Sequence, residues 1–182
     1  MPRRSCTAAA RLAGSAVGEP WTRGLETVSG SQWPAAVEEG LYRVRNVGSG
    51  LLLEVADGRR NSGANVQQGM ENGTDAQLWR VLPIHEGSAL YHLENVRSGK
   101  RLDVAGAATE NGVNVQQWRP NNFGAQEWLI EQHLDAPGTV TLVSGISGKT
   151  LEVADGSKED GANVQQWEDK DVASQWWTLE PQ

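Results

Sequence analysis

One pattern returns three times in this chain at a constant offset: Leu-(Asp/Glu)-Val-Ala, then Gly-x-Asn-Val-Gln-Gln, then Gln-x-Trp. Asn65, Asn114 and Asn163 lie 49 residues apart, and Leu53, Leu102 and Leu151 share that spacing. The pairs Gln67-Gln68, Gln116-Gln117 and Gln165-Gln166 keep the same register, as do Trp79, Trp128 and Trp177. No insertion breaks it from Gly40 onward, so the chain is one supersecondary unit made three times. In a protein of 182 residues, units of about 45 residues are each too small to bury a core and must pack on one another.

Each unit reads as four short strands. In the second they are expected at Leu90 to Val96, Arg101 to Ala105, Asn114 to Arg119 and Gln126 to Leu134. The segment from Leu41 to Asn46 alternates with period two, as a half-buried strand does. Ser-Gly at 49–50, 98–99 and 147–148 supplies a turn after the first strand, and the stretch from Gly106 to Gly112 supplies a longer loop between strands two and three. No window carries a sustained apolar stripe of helical period. Twelve short strands in three equal units close best around a pseudo-threefold axis, which removes exposed sheet edges. The fold class is therefore all-β, a β-trefoil of repeats 40–88, 89–137 and 138–182. Trp79, Trp128 and Trp177 would fill equivalent core positions, each with a preceding Gln that ties down loop backbone.

Charge and composition narrow the function. Net charge is −7, and residues 1–39 hold as many Arg as Glu, so the whole excess sits in the repeats. That balance argues against binding nucleic acid phosphates. A lone cysteine, Cys6, permits no intrachain disulfide and no cysteine metal site, while His85, His92 and His133 stand at unrelated registers without metal-ligand spacing. No metal and no cofactor is expected. No apolar run approaches the ~20 residues of a membrane span. Behind Arg3-Arg4, the segment Ser5 to Gly18 is rich in small residues and broken by Arg11, a poor secretion signal and a weak twin-arginine one. Residues 1–39 lack periodicity and read as a disordered tail or linker, with docking of Trp33-Pro34 onto the folded part as the alternative.

Three Gln-x-Trp motifs preceded by Leu-Asp-Val and Val-Gln-Gln-Trp resemble the ricin B-type lectin domain, also called the family 13 carbohydrate-binding module, in its disulfide-free bacterial style. The resemblance covers residues 40–182. It implies a β-trefoil with up to three shallow sugar sites, no catalytic activity, and an extracellular setting.

The residue chemistry agrees. A pyranose offers an apolar C–H face and vicinal hydroxyls, so its binder needs a flat aromatic, a carboxylate that accepts hydroxyl protons and an amide. In the second unit the resemblance assigns Asp103 to the hydroxyls, Trp118 to stacking, Gln116 to the amide and Gln126 to the edge of the site. The third unit keeps Gln165, Trp167 and Gln175 but carries Glu152 in place of the aspartate, one methylene longer. The first has Glu54 and replaces the platform by Gly69, with Met70 beside it, so it is expected to bind sugar weakly or not at all. The Asn that the family often places before Gln-x-Trp is Ala76, Ala125 or Ser174 here, and Asp75, Asn122 and Asp171 are the nearby groups able to substitute. The plainer alternatives are acids that cap turns and Asn65, Asn114 and Asn163 as turn residues bonded to their own backbone.

Catalytic motifs such as Gly-x-Ser-x-Gly, His-Glu-x-x-His or a phosphate loop are missing from the sequence, and one polar set repeated in three places suits binding better than a single catalytic cleft. The expected function is a monomeric, non-catalytic module that binds galactose- or xylose-type glycans. The alternative is a protein-interaction or structural trefoil that has lost sugar binding.

Overall fold

The computed structural model describes residues 37–182; Cys6, Trp21 and Trp33, and with them the tail and docking expectations, lie outside the described residues. Twelve strands follow in three sets of four: β1 Gly40–Asn46, β2 Leu52–Val55, β3 Val66–Gly69 and β4 Trp79–Pro83; β5 Leu90–Asn95, β6 Arg101–Val104, β7 Val115–Trp118 and β8 Trp128–Gln132; β9 Thr139–Ser144, β10 Thr150–Val153, β11 Val164–Trp167 and β12 Trp177–Pro181.

The first and fourth strands of each unit form a closed six-stranded barrel. Antiparallel pairing runs β1 to β4, β4 to β5, β5 to β8, β8 to β9, β9 to β12 and back from β12 to β1, where Tyr42 faces Pro181. The middle strands make three hairpins, β2–β3, β6–β7 and β10–β11, that cap one end. This is the β-trefoil that the repeat implies, and closure leaves the barrel without a free edge.

The core is built from the repeated positions. Trp79, Trp128 and Trp177 are all 0% exposed, and each indole N–H donates to a buried strand carbonyl, of Leu53, Leu102 and Leu151 respectively. Burying an indole of about 200 Å² contributes on the order of 5 kcal/mol before entropy, and the hydrogen bond removes the penalty its N–H would otherwise carry. The Gln of each Gln-x-Trp is equally buried and ties a loop, as Gln126 does: its amide donates to the Arg119 carbonyl at 2.9 Å and its oxygen accepts the Asn121 N–H at 3.0 Å.

Two local expectations change. The segments Ala105–Ala107 and Gly124–Gln126, with their copies in the other units, are single 3-10 turns, so β6 ends at Val104 and β8 starts at Trp128. Three residues are too few to print a helical period. Asn65, Asn114 and Asn163 do not bond their own backbone. They meet on the pseudo-threefold axis, where Asn114 donates to Asn65, Asn65 to Asn163 and Asn163 to Asn114, each at 2.8 Å.

Candidate functional site

In the second unit, Asp103 sits in β6 directly opposite Gln116 in β7. Trp118 lies two residues beyond Gln116, so strand alternation sends both side chains to one face. The Asp103 carboxylate is 5% exposed, and its oxygens accept Gln116 Nε2 at 3.0 Å and Gln126 Nε2 at 3.1 Å. A carboxylate has about four acceptor positions, so two remain for hydroxyl donors. Burial pushes the Asp103 carboxyl above its ordinary value, while the two amide bonds pull it down. Gln116 and Trp118 are half-buried. The sequence expectation placed Gln126 at the edge of the site, and Gln175 with it. Both are 0% exposed, and each donates to the carboxylate of its own unit, Gln126 to Asp103 and Gln175 to Glu152, from beneath the surface.

The third unit repeats this clamp with a longer acid: Glu152 accepts Gln165 Nε2 and Gln175 Nε2, both at 2.9 Å. The extra methylene is absorbed without losing either bond. Half-buried Trp167 supplies the aromatic, but the ammonium of Lys170 stands over its ring. The first unit keeps the clamp on Glu54, from Gln67 at 2.9 Å and Gln77 at 2.8 Å, and differs in its surroundings. A Cβ placed on Gly69 would fall on the Glu54 carboxylate, which has moved into the space the missing side chain leaves.

Each site is assembled by two repeats. Gln117 donates to the carbonyls of Arg59 and Asn61, Gln166 to those of Ala108 and Glu110, and Gln68 to those of Ser157 and Glu159. The clamped loops then back the aromatic positions, since a Cβ on Gly63 would touch Trp118 at 3.5 Å and one on Gly112 would touch Trp167 at 3.4 Å. Ser62, Asn111 and Asp160 fasten the same loops by accepting the N–H of Arg119, Glu168 and Met70. The sequence reading missed these three, although short polar residues at the common spacing mark them. It also missed Phe123, 67% exposed in the loop just before the Gly124–Gln126 turn, and Arg97 and Lys170, which occur once each. Asp75, Asn122 and Asp171, the named substitutes for the missing Asn, are all exposed.

Among the described residues no group of three His, Cys, Asp or Glu side chains is placed to hold a metal ion, and no helix is long and apolar enough to cross a membrane. His92 is held neutral, its pKa lowered to about 4 by burial and by the charge of Arg101. His133 accepts or donates a 2.8 Å bond at Thr141 and stands edge-on to Trp176.

A family model described as ricin-type beta-trefoil lectin domain-like matches residues 29–118, 75–135 and 124–182. Among solved structures, the designed threefold-symmetric protein ThreeFoil is similar at 36% identity and a TM-score of 0.74, over 79% of this chain and 100% of that one. An exo-beta-1,3-galactanase from Clostridium thermocellum is similar at 31% identity and a TM-score of 0.74, over 80% of this chain but only 31% of the galactanase. The Macrolepiota procera ricin B-like lectin, solved in complex with lactose, shares the fold at 17% identity and a TM-score of 0.69, over 81% of this chain and 100% of that one. A search of curated protein sequences found no match.

Proposed function

Because the chain belongs to the ricin-type beta-trefoil lectin domain-like family, we propose that it is a non-catalytic carbohydrate-binding module whose main site is in the second unit. What supports the reading is one arrangement: a buried carboxylate, Asp103, clamped by two amides with acceptor positions to spare, next to the half-buried indole of Trp118. Vicinal hydroxyls donate to the carboxylate while the sugar's C–H face covers the ring. Gln116, already donating to Asp103, fixes the carboxylate and offers its amide oxygen to a further hydroxyl.

Galactose- or xylose-type residues are the preferred ligands in this reading. The lactose bound by the Macrolepiota procera lectin and the galactan-directed enzyme that carries a similar domain point the same way. A shallow site of this kind binds with Kd near ~1 mM, about −4 kcal/mol. The third unit is the second site, through Glu152, Gln165 and Trp167. Two sites on one rigid body raise apparent affinity for a polymer by ~10²-fold when both reach one chain. The protein acts as a monomer, outside the cell, on soluble or surface polysaccharide.

Affinity electrophoresis through gels containing galactan, xylan or no polysaccharide tests this. Retardation of the parent that disappears in Asp103→Ala supports the assignment. Equal mobility in every gel overturns it and leaves a protein-interaction trefoil.

A further inference from the structure

The first unit holds a cavity of about 350 Å³ at the position the repeat gives to its sugar site. It lacks the aromatic platform, yet Glu54, Asp57, Gln67, Asn72, Thr74 and Arg97 surround it with polar groups. Arg97 comes from the second unit, and the repeat places Ile146 and Gly48 at the equivalent positions of the other sites. Its side chain is seated by design of the backbone beneath it. Nε donates to the Gly58 carbonyl at 2.6 Å, and a Cβ on Gly58 would stand 3.0 Å from that nitrogen, so glycine lets the guanidinium lie close against the backbone. The second unit has Ala107 where Gly58 stands, and Ile146 there packs on the core. Its wall is apolar where that of the first unit is cationic.

The charges around the cavity are unequal in availability. Glu54 is 9% exposed and takes two amide bonds, and Asp57 is paired with Arg59 at 3.1 Å. Arg97 is exposed and forms no ion pair among the described residues. A neutral sugar entering here would find hydrogen bonds alone, each worth about 1 kcal/mol net, without an aromatic face to cover its apolar side. A bond to a charged group is roughly twice as strong, and the guanidinium fork matches a carboxylate.

We propose that the first-unit cavity takes an acidic sugar, a uronate whose ring hydroxyls donate to Glu54 while its carboxylate pairs with Arg97. This rests on the carbohydrate-binding reading above and changes what the site that looks degraded is for. A cationic sugar fits less well, because Glu54 and Asp57 already face donors, whereas Arg97 meets only the Gly58 carbonyl and no carboxylate among the described residues.

The test uses the full chain with Trp118→Ala and Trp167→Ala to silence the two aromatic sites, with trigalacturonate as probe and its methyl ester as the neutral control. Amide and Arg97 Nε–H signals are followed by nitrogen-resolved NMR, and Arg97→Gln is compared in the same background. The expected result is saturable shifts at Gly58 and Arg97, at least tenfold weaker binding in Arg97→Gln, and ester binding as weak as that of the variant. If the double aromatic variant does not fold, the same signals are read in the parent with and without Arg97→Gln. Absence of shifts at Gly58 and Arg97, or equal affinity in Arg97→Gln, overturns the proposal. A parent retarded by neutral polysaccharide while the first unit ignores trigalacturonate removes this inference alone; a parent retarded by none that also ignores trigalacturonate removes the carbohydrate reading.

Discussion

The ammonium of Lys170 stands 4.6 Å from the centre of the Trp167 ring, on the aromatic that a sugar would have to cover. The second unit carries Asn121 at the equivalent position, and no cation stands over Trp118 among the described residues. A cation–π contact at an exposed site is worth about 0.5–1 kcal/mol, which any ligand stacking on the same face must displace. Lys170→Ala is therefore expected to strengthen neutral-sugar binding at the third unit by about three- to fivefold. Titration in a Trp118→Ala background isolates that unit, and unchanged or weaker binding there would show that the lysine does not compete.

Trp118→Ala should weaken polysaccharide binding by about tenfold. Covering about 60 Å² of ring face at about 25 cal/mol per Å² gives ~1.5 kcal/mol. The half-buried indole makes no core contact comparable to Trp128, so its thermal midpoint should stay near that of the parent. Loss of affinity accompanied by a large loss of stability would instead place Trp118 in the core.

Gly69→Trp tests why the first unit lacks a platform. The introduced side chain meets the Glu54 carboxylate where it now lies, so the single variant gains a platform only if that acid moves to the position Glu152 keeps beside Trp167. Adding Glu54→Asp shortens the acid to the length of Asp103 and should create a third neutral-sugar site. An isothermal titration whose stoichiometry rises by one in the double variant is the expected outcome, and an unchanged stoichiometry there would show that the platform is not what the first unit lacks.

The asparagine ring predicts non-additive energetics. Asn114→Ala removes a donor to Asn65 and an acceptor for Asn163 at once, leaving two part-buried groups unpaired at about 1–3 kcal/mol. The triple alanine variant leaves no amide unpaired, so its cost falls well short of three single losses. Urea unfolding of the singles and the triple measures the difference, and strict additivity would mean the three amides act independently.

Stability should respond to acid through His92 and Asp103 with opposite signs. The folded pKa of His92 lies below its ordinary 6.5, at about 4, so the unfolded chain binds more protons between these values. Its contribution is complete above pH 6.5 and is lost as pH falls toward 4. Asp103, raised by burial, contributes below the ordinary carboxylate value and loses that contribution as pH rises through its folded value. His92→Gln should flatten the loss of thermal midpoint between pH 6.5 and 4; the same slope in parent and variant would exclude the histidine. Sugar retention should also fade in acid, because a proton on Asp103 turns an acceptor oxygen into a donor.

What the sequence reveals and what it hides divide along physical lines. Leu102, Trp128 and Gln126 act through fixed distances within one unit, so constant spacing exposes the core and the threefold closure. Asn65 and Asn163 meet only through the axis, and a local reading of Gly-x-Asn suggests a turn because nothing nearby in sequence names the partner. Gln126 and Gln175 look like site residues since their oxygens and nitrogens suit hydroxyls, and only the fold reveals that both are fully buried. Arg97 and Lys170 break the repeat instead of following it, and a singular residue carries no periodic signal. Their meaning depends on Gly58 and Trp167 being already in place.

The glutamine clamps close a circle: the second unit holds a loop of the first, the third a loop of the second, and Gln68 of the first reaches forward to Ser157 and Glu159 of the third. On the ribosome these links become available in order. The first two units emerge with the amide of Gln68 unmatched, β1 without β12 and the asparagine ring open at one corner. A nascent chain cut short within the third unit therefore carries Asp103 and Trp118 but lacks the contacts of β12 and Asn163 that close the scaffold around them.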